Sequence, residues 1–456
     1  MKSPVQIRQK IRLKIENFSE GKDFVAYVDG FPVYVPNAIP GEEVEVKILE
    51  VKRNYAKAQI LEIISPHAAR VQPPCVYFYK CGGCQWQYID YPHQLELKKK
   101  IVEGDLAQYP NLKDAKVQEV KGAEHIYHYR SKAQQPVVSV RGKAVTGFYF
   151  PGTHRLTWID RCEVQTKLQD LVIRFVMRWL NLENIPPYDE KTHEGFIRYL
   201  LVRESLAMKE AMLIFVVQGS DSKPLKSLTE AVTKKFPQIV SVIQNINTEK
   251  TNVILGRENI VLKGQGFIIE KILGLRFRIS PESFFQIHIE QVEKLVEVIA
   301  GYAALSGRET VIDAYCGVGL LGICLARQAA QVYGIESNVT AIEDAYANAE
   351  MNGAETVEFL GMDASEGLKS LEEQGVEPDV IILDPPRQGC DNQVLESVCR
   401  FSPEKIIYVS CDPGTLARDL SFLSSNGYQL KEMTPVDLFP QTSHIEAVAL
   451  LQKSMS

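Results

Sequence analysis

The sequence predicts an α/β protein in three parts: a small β-barrel, an α+β middle and a C-terminal doubly wound, mostly parallel sheet. Three observations carry this. At 456 residues and 51.4 kDa the chain is too long for one hydrophobic core. Short β-rich runs crowd its first 65 residues. From Ile289 onward, strand-like and helix-like segments alternate at the spacing of a parallel sheet. Usage is ordinary for a globular chain, 45% hydrophobic and 24% charged, which excludes fibres and extended disorder. No run of about 18 apolar residues occurs. Lys2, Arg8, Lys10, Arg12 and Lys14 stud the N-terminus. The expectation is therefore a cytoplasmic chain with no membrane span and no export signal.

The elements follow in order. Residues 6–65 hold the runs Ile11–Phe18, Phe24–Val28, Phe31–Val35, Glu43–Val51 and Ala56–Ile63, broken at turns such as Asp29-Gly30 and Pro40-Gly41. Five strands in about sixty residues fit a barrel of the OB type, a shape that commonly grips RNA. Ser65–Pro74 leads into a cysteine loop and then a charged helix from His93 to about Gln108. The middle offers strands Pro136–Val140 and Ala144–Phe150, a helix Leu168–Leu182, and strands Ala211–Gln218 and Ile239–Asn247. After a helix to Tyr302 come strands Thr310–Ala314, Gln331–Ile335, Val357–Leu360, Val380–Leu383 and Lys405–Ser410 with helices between them. The chain divides accordingly into a barrel (1–66), a cysteine loop (67–92 with Cys162), a central α+β part (93–270) and the sheet (271–456).

Charge separates these parts. The net value of −6 taken alone disfavours a nucleic-acid partner. Residues 301–456, however, carry 9 Lys/Arg against 23 Asp/Glu, a balance of −14, which leaves +8 on residues 1–300. A basic front and an acidic back suggest two jobs. Nine cysteines without an export signal point to metal binding or catalysis rather than a disulfide framework. Cys75, Cys81, Cys84 and Cys162 lie in the basic part, and a four-thiolate set of this kind serves structural zinc or iron–sulfur alike. Of the others, Cys324 and Cys399 sit among apolar neighbours as core residues, and Cys316 and Cys390 are expected to line the pocket without reacting.

The first strand of the sheet ends in Asp313-Ala-Tyr315-Cys316-Gly317-Val-Gly319, and the next in Glu336. Glycines that let backbone approach a ligand, with an acid for ribose hydroxyls, indicate a nucleoside cofactor, and the pattern alone would serve NAD as well. Asp384-Pro385-Pro386-Arg387 closes a buried strand at the same edge, a rigid turn suited to methyl transfer onto a planar base. Ser410-Cys411-Asp412-Pro413 ends the next strand. A thiolate adds readily to C6 of a pyrimidine, and the N-terminus of the helix after Cys411 is placed to favour one. Methylation at C5 then leaves a proton that a base must take; Glu446 is the choice and His444 the competitor.

On these stretches, with Ser283-Phe284-Phe285-Gln286 and Phe439-Pro440, the chain resembles the RumA/TrmA family of S-adenosylmethionine-dependent RNA uracil-5 methyltransferases over nearly its full length. The resemblance implies a Rossmann-like methyltransferase domain in which Gln286, Tyr315, Gly317, Gly319, Glu336, Asp363 and Asp384 hold the methyl donor. Phe284 would pack on the target base, Cys411 would be the nucleophile and Glu446 the base, with Asp384 aligning the reactants. Arg130 and Lys132, in Tyr129-Arg130-Ser-Lys132, fall in a family signature and would contact RNA. The front half resembles the 23S ribosomal RNA branch: residues 6–65 its TRAM domain, and Cys75-x5-Cys81-Gly-Gly-Cys84 with Cys162 its [4Fe-4S] ligands. The implied activity is 5-methyluridine formation in 23S ribosomal RNA through a covalent Cys–C6 adduct, by a monomer. The same chemistry on tRNA, or a non-catalytic iron–sulfur RNA-binding protein, are the alternatives. Two departures stand out. The TRAM turn reads Gly21-Lys22-Asp23-Phe24 where Gly-x-Gly is usual, and Leu320 follows the second motif glycine where the family often has a polar residue.

Overall fold

The computed structural model describes residues 3–18, 24–153 and 155–454. Strands β1 (Lys10–Lys14), β2 (Asn17–Phe18), β3 (Phe24–Val28), β4 (Phe31–Tyr34), β5 (Glu43–Val51) and β6 (Ala56–Ser65) form one sheet in the order β1-β5-β6-β4-β3-β2. It encloses Ile15, Val33, Val44, Val46 and Ile48. The run expected from Ile11 to Phe18 splits in two because Ile15 turns aside, its N–H and carbonyl engaged by Glu42 and Gly41. The turn at Gly21–Asp23 lies outside the described residues.

Helix α1 (Tyr91–Ala107) starts where the Asp90 carboxylate accepts from the His93 N–H and Pro92 fills the first turn. Leu97 and Ile101 join the barrel core with Trp86 and Ile89, while Val102 and Leu106 join the core of the C-terminal sheet. One helix thus clamps the two ends of the chain together.

The middle contains β7 (Lys132–Val140), β8 (Lys143–Tyr149), β9 (Leu156–Trp158), α2 (Lys167–Leu182), β10 (Ile197–Ser205), β11 (Glu210–Val217), α3 (Lys223–Lys235), β12 (Ile239–Ile246) and β13 (Glu258–Lys263). The sheet order is β13-β12-β11-β10-β7-β8-β9. Helices α2 and α3 cover one face. From the other face Leu201, Met212, Ile214 and Val216 merge into the core of the next part. A hairpin, β14 (Ile268–Ile272) and β15 (Leu275–Ile279), bridges the two.

The C-terminal part runs α4 (Ile289–Ala303), β16 (Thr310–Asp313), α5 (Leu320–Leu325), β17 (Gln331–Ile335), α6 (Val339–Asn352), β18 (Val357–Leu360), α7 (Ala364–Glu373), β19 (Val380–Leu383), α8 (Asn392–Phe401), β20 (Lys405–Ser410), α9 (Pro413–Ser425), β21 (Tyr428–Val436) and β22 (Glu446–Lys453). Its sheet order is β18-β17-β16-β19-β20-β22-β21. The first five strands are parallel, and β22 runs antiparallel between β20 and β21. The doubly wound expectation holds. Strand order reverses between β16 and β19, so a crevice opens outside their carboxyl ends. Among the described residues no helix is long and apolar enough to cross a membrane.

Candidate active site

The crevice is a cavity of about 1120 Å³. Tyr315, Gly317, Glu336 and Asp363 line its β16–β18 side, and Asp384, Cys411 and Glu446 its β19–β22 side. Phe284 and Gln286 reach in from the segment before α4. Glu336 accepts from the N–H groups of Gly317 (3.0 Å) and Asn338 (2.7 Å), which fixes its carboxylate at the cavity wall. Asp363 caps α7, accepting from the Ser365 N–H at 2.9 Å. Gly319 is the exception: it is buried and does not line the cavity. Its φ of 80° is left-handed, and an added Cβ would stand 3.0 Å from Ile323 and the Phe359 ring. Gly319→Ala is expected to lower stability by about 1–3 kcal/mol, read as a lower Tm. Leu320 packs against the core, which leaves no polar side chain at that point.

Sheet register brings Cys411, Glu446 and Asp384 together. Ser410 pairs with Ala447 across the antiparallel β20–β22 ladder, so the next residues outward, Cys411 and Glu446, meet at the strand ends. Leu383 pairs with Tyr408 in parallel, which delivers Asp384 to the same edge. Glu446 is 2% exposed, and burial with the Asp384 charge beside it pushes its carboxyl well up. Burial lifts Asp384 to about 7. Cys411 is pushed up to about 11, first by burial and then by Glu446, with Arg387 opposing. At the α9 N-terminus the Asp412 side chain takes the Gly414 and Thr415 N–H groups at 3.2 and 3.3 Å, so these two donors serve Asp412 and not Cys411. His444 sits nearer the rim, 3.3 Å from Arg387 Nη2 and edge-on to Phe439.

These shifts have a sign. Raised values keep these carboxyls protonated to higher pH, so a base at Glu446 would gain its charge only as pH rises. A rate profile for kcat should therefore rise from acid into alkaline pH. Asp313, 1% exposed beneath the site, is likewise raised from 3.8 to about 7, by burial first and then by Asp384. For stability, such a group contributes fully below 3.8, and the contribution is lost as pH rises through about 7. Asp313→Asn should raise Tm at pH 8 by about 4 °C or more and leave Tm at pH 4 little changed.

Two positioning residues escape the sequence reading. Asp344 on α6 is fully buried and accepts from the Ser280 N–H (2.8 Å), the Ser280 hydroxyl (2.8 Å) and the Ser283 hydroxyl (2.6 Å). Arg203 donates to the Ser283 carbonyl at 2.9 Å from the other side. This pinned backbone holds Phe284, which stays 69% exposed. A polar stripe at four-residue spacing, Asp344, Asn348 and Asn352, is the signal that was available. Asp419 on α9 accepts from the Tyr408 hydroxyl (2.5 Å), the Cys390 N–H (2.9 Å) and Arg418 Nε (2.7 Å), locking the turn that follows Asp384. Its signal is a lone acid on a face with Leu416, Leu420 and Leu423.

Cys75, Cys81, Cys84 and Cys162 line a second cavity of about 410 Å³, and Phe284, Gln286 and Phe439 form the wall it shares with the first. Arg130 and Lys132 line this second cavity, not the first. Burial pushes Cys84 and Cys162 up to about 12 and Lys132 down to about 7, the latter aided by Arg203 and Arg130. The Gly83 N–H donates to Cys81 Sγ at 3.4 Å. Among the described residues no group of three or more His, Cys, Asp or Glu is arranged to hold a metal ion. Of the other cysteines, Cys390 lines the first cavity, Cys316 is buried outside its lining, and Cys324 and Cys399 pack against the core.

Residues 90–454 match the family profile described as tRNA (Uracil-5-)-methyltransferase, and residues 4–61 match the TRAM domain. An uncharacterized RNA methyltransferase of Clostridium tetani is 40% identical over 448 residues, covering 98% of this chain and 97% of that protein. One from Oceanobacillus iheyensis is 39% identical over 456 residues, covering 100% and 99%. Among solved structures, the Pyrococcus abyssi tRNA (uracil-54, C5)-methyltransferase in complex with S-adenosyl-L-homocysteine superposes with a TM-score of 0.75 at 27% identity, covering 96% of this chain and 99% of that one.

Proposed function

Because the chain belongs to the tRNA (uracil-5-)-methyltransferase family, S-adenosylmethionine-dependent RNA methyltransferases, and carries a TRAM domain, we propose that it methylates C5 of a specific uridine in 23S ribosomal RNA through a covalent adduct on Cys411. The observation that carries this is the convergence of Cys411, Glu446 and Asp384 on a cavity whose opposite wall holds Glu336 and Asp363. That wall fits a nucleoside: a carboxylate fixed by backbone N–H groups faces the space where ribose hydroxyls would lie. Gln286, Tyr315, Glu336, Asp363 and Asp384 would hold the co-substrate S-adenosylmethionine, which supplies the methyl group.

The target base leaves its RNA stack, since C5 and C6 are out of reach inside a helix. Exposed Phe284, on its pinned segment, offers a face on which the uracil ring stacks. Cys411 gives its proton up to solvent and adds to C6 as the thiolate, and C5 becomes nucleophilic. Asp384 and Gln286 keep base and donor aligned. C5 takes the methyl group as the S–CH3 bond of the sulfonium breaks, leaving S-adenosylhomocysteine; Glu446 then removes the C5 proton, the C5–C6 double bond re-forms, and Cys411 leaves as thiolate.

The barrel, the central part (93–270) and its residues Arg130 and Lys132 hold the RNA in this reading, and the basic balance of residues 1–300 supports that. The barrel and cysteine set favour 23S ribosomal RNA. A second reading, tRNA, is favoured by one observation: the Pyrococcus abyssi enzyme, whose name specifies tRNA uracil-54, matches 96% of this chain. Mapping 5-methyluridine by mass spectrometry in both RNAs of a deletion strain separates them. Loss of the mark from 23S ribosomal RNA supports the first reading, and loss from tRNA alone supports the second.

Cys75, Cys81, Cys84 and Cys162 would hold a [4Fe-4S] cluster. What supports this is that four thiols line one cavity and a backbone N–H donates to Cys81. The cluster takes no part in the transfer steps. Cys84→Ser should lose most bound iron and acid-labile sulfide, measured on anaerobically purified protein. Full retention of both would remove Cys84 from the ligand set.

A further inference from the structure

The loop between β21 and β22 leads into Glu446, yet residues outside the C-terminal sheet hold it. Gln441, 2% exposed, has a φ of 71°, a left-handed conformation that a non-glycine residue keeps only when its surroundings impose it. Its carbonyl accepts from the N–H groups of Gln85 (3.1 Å) and Trp86 (3.0 Å), the two residues after Cys84. Its own N–H donates to Gln94 Oε1 at 3.0 Å, and Gln94 Nε2 donates back to Gln441 Oε1 at 3.1 Å. Gln94, fully buried on α1, also donates to the carbonyls of Trp86 (3.1 Å) and Ile89 (2.8 Å). Alongside, Lys98 donates to Asp437 (2.6 Å) and the Phe439 carbonyl (3.1 Å), and the Tyr129 hydroxyl to the Pro440 carbonyl (3.0 Å). The loop so held carries Phe439, which both cavities share.

We propose that the reciprocal Gln94–Gln441 amide pair is a positioning device: through it helix α1 and the cysteine loop set the 437–446 loop, so that Glu446 stands where the C5 proton must be removed. This rests on the methyl-transfer reading above. Two amides that satisfy each other in a dry site have one arrangement, and removing either leaves buried polar groups unpaired. Only four residues separate Gln441 from Glu446, so a shift at Gln441 reaches the carboxylate. The cysteine loop therefore acts on the last chemical step without touching the substrate there.

The test uses the full-length chain, S-adenosylmethionine and RNA with ordinary uridine, quenched in denaturant and resolved for a covalent protein–RNA complex. Glu446→Gln is the control, and the methylated complex should accumulate in it. Gln94→Leu should accumulate the same methylated complex, with release slowed about tenfold or more and KM for S-adenosylmethionine within about twofold. Gln441→Gly, which suits the φ and keeps the backbone bonds but takes the side-chain acceptor from Gln94 Nε2, should show the same accumulation to a lesser degree. If Gln94→Leu does not fold, Gln94→Ala, whose smaller side chain admits water to the orphaned groups, must show the same accumulation. Slower turnover without accumulated complex, or unchanged turnover, in the variant that folds overturns the inference. Accumulation in Glu446→Gln but not in the Gln94 variant overturns the inference alone; no accumulation in Glu446→Gln overturns the base assignment and the inference with it.

Discussion

Cys411→Ala is expected to abolish methyl transfer, by at least about 10⁴-fold, because no neighbouring group can replace a sulfur nucleophile at C6. Its position explains why binding should survive. Cys411 stands on the β20–β22 side of the cavity, whereas Glu336 and Asp363 line the β17–β18 side. Titration with S-adenosylmethionine should give a Kd within about twofold of the parent chain, since no donor-holding residue is changed. A variant that still turns over at a tenth of the parent rate would remove Cys411 from the chemistry.

Glu446→Gln should separate the two halves of the reaction. Addition and transfer need the thiolate and the aligned donor, and neither requires a base at the Glu446 position. Removal of the C5 proton does, so release should slow by about 10²–10⁴-fold and the methylated adduct should persist. The same change removes a buried carboxyl that burial and Asp384 push up. Without the charge at Glu446, Cys411 loses the largest electrostatic influence that pushes it up, and adduct formation should extend to lower pH. A pH series of adduct yield in Glu446→Gln against the parent checks that direction.

Much of the site was legible because each residue ends a buried parallel strand. Val380–Leu383 and Lys405–Ser410 are short apolar runs followed by Asp384 and Cys411, and in a doubly wound sheet such ends share one edge. Glu446 was legible as an acid opening an apolar strand. The upward push on Cys411 was not, because it comes from burial and from Glu446 arriving on the distant strand β22. Strand β10 escaped notice since both its faces are buried, and a continuous run such as Tyr199-Leu-Leu-Val202 has no alternation to read. Helix α1 was found, but not its role. Its polar residues Gln94 and Lys98 look like a solvated face until the 437–442 loop is seen bonded to them. Asp344 and Asp419 were hidden for the same reason, as acids on helices whose partners come from distant loops. Arg130 and Lys132 were expected on the substrate path, and they line the cysteine cavity next to it.

The central claim is that Cys411 attacks C6 of an RNA uridine in this cavity. Replacing the target hydrogen at C5 with fluorine leaves Glu446 no proton to remove, so the methylated adduct cannot resolve. Full-length protein incubated with S-adenosylmethionine and 5-fluorouridine-substituted 23S ribosomal RNA, then digested and sequenced by mass spectrometry, should yield one nucleotide-bearing peptide with the modification on Cys411. A modification on another residue, or no adduct from protein that methylates the unsubstituted RNA, would contradict the account.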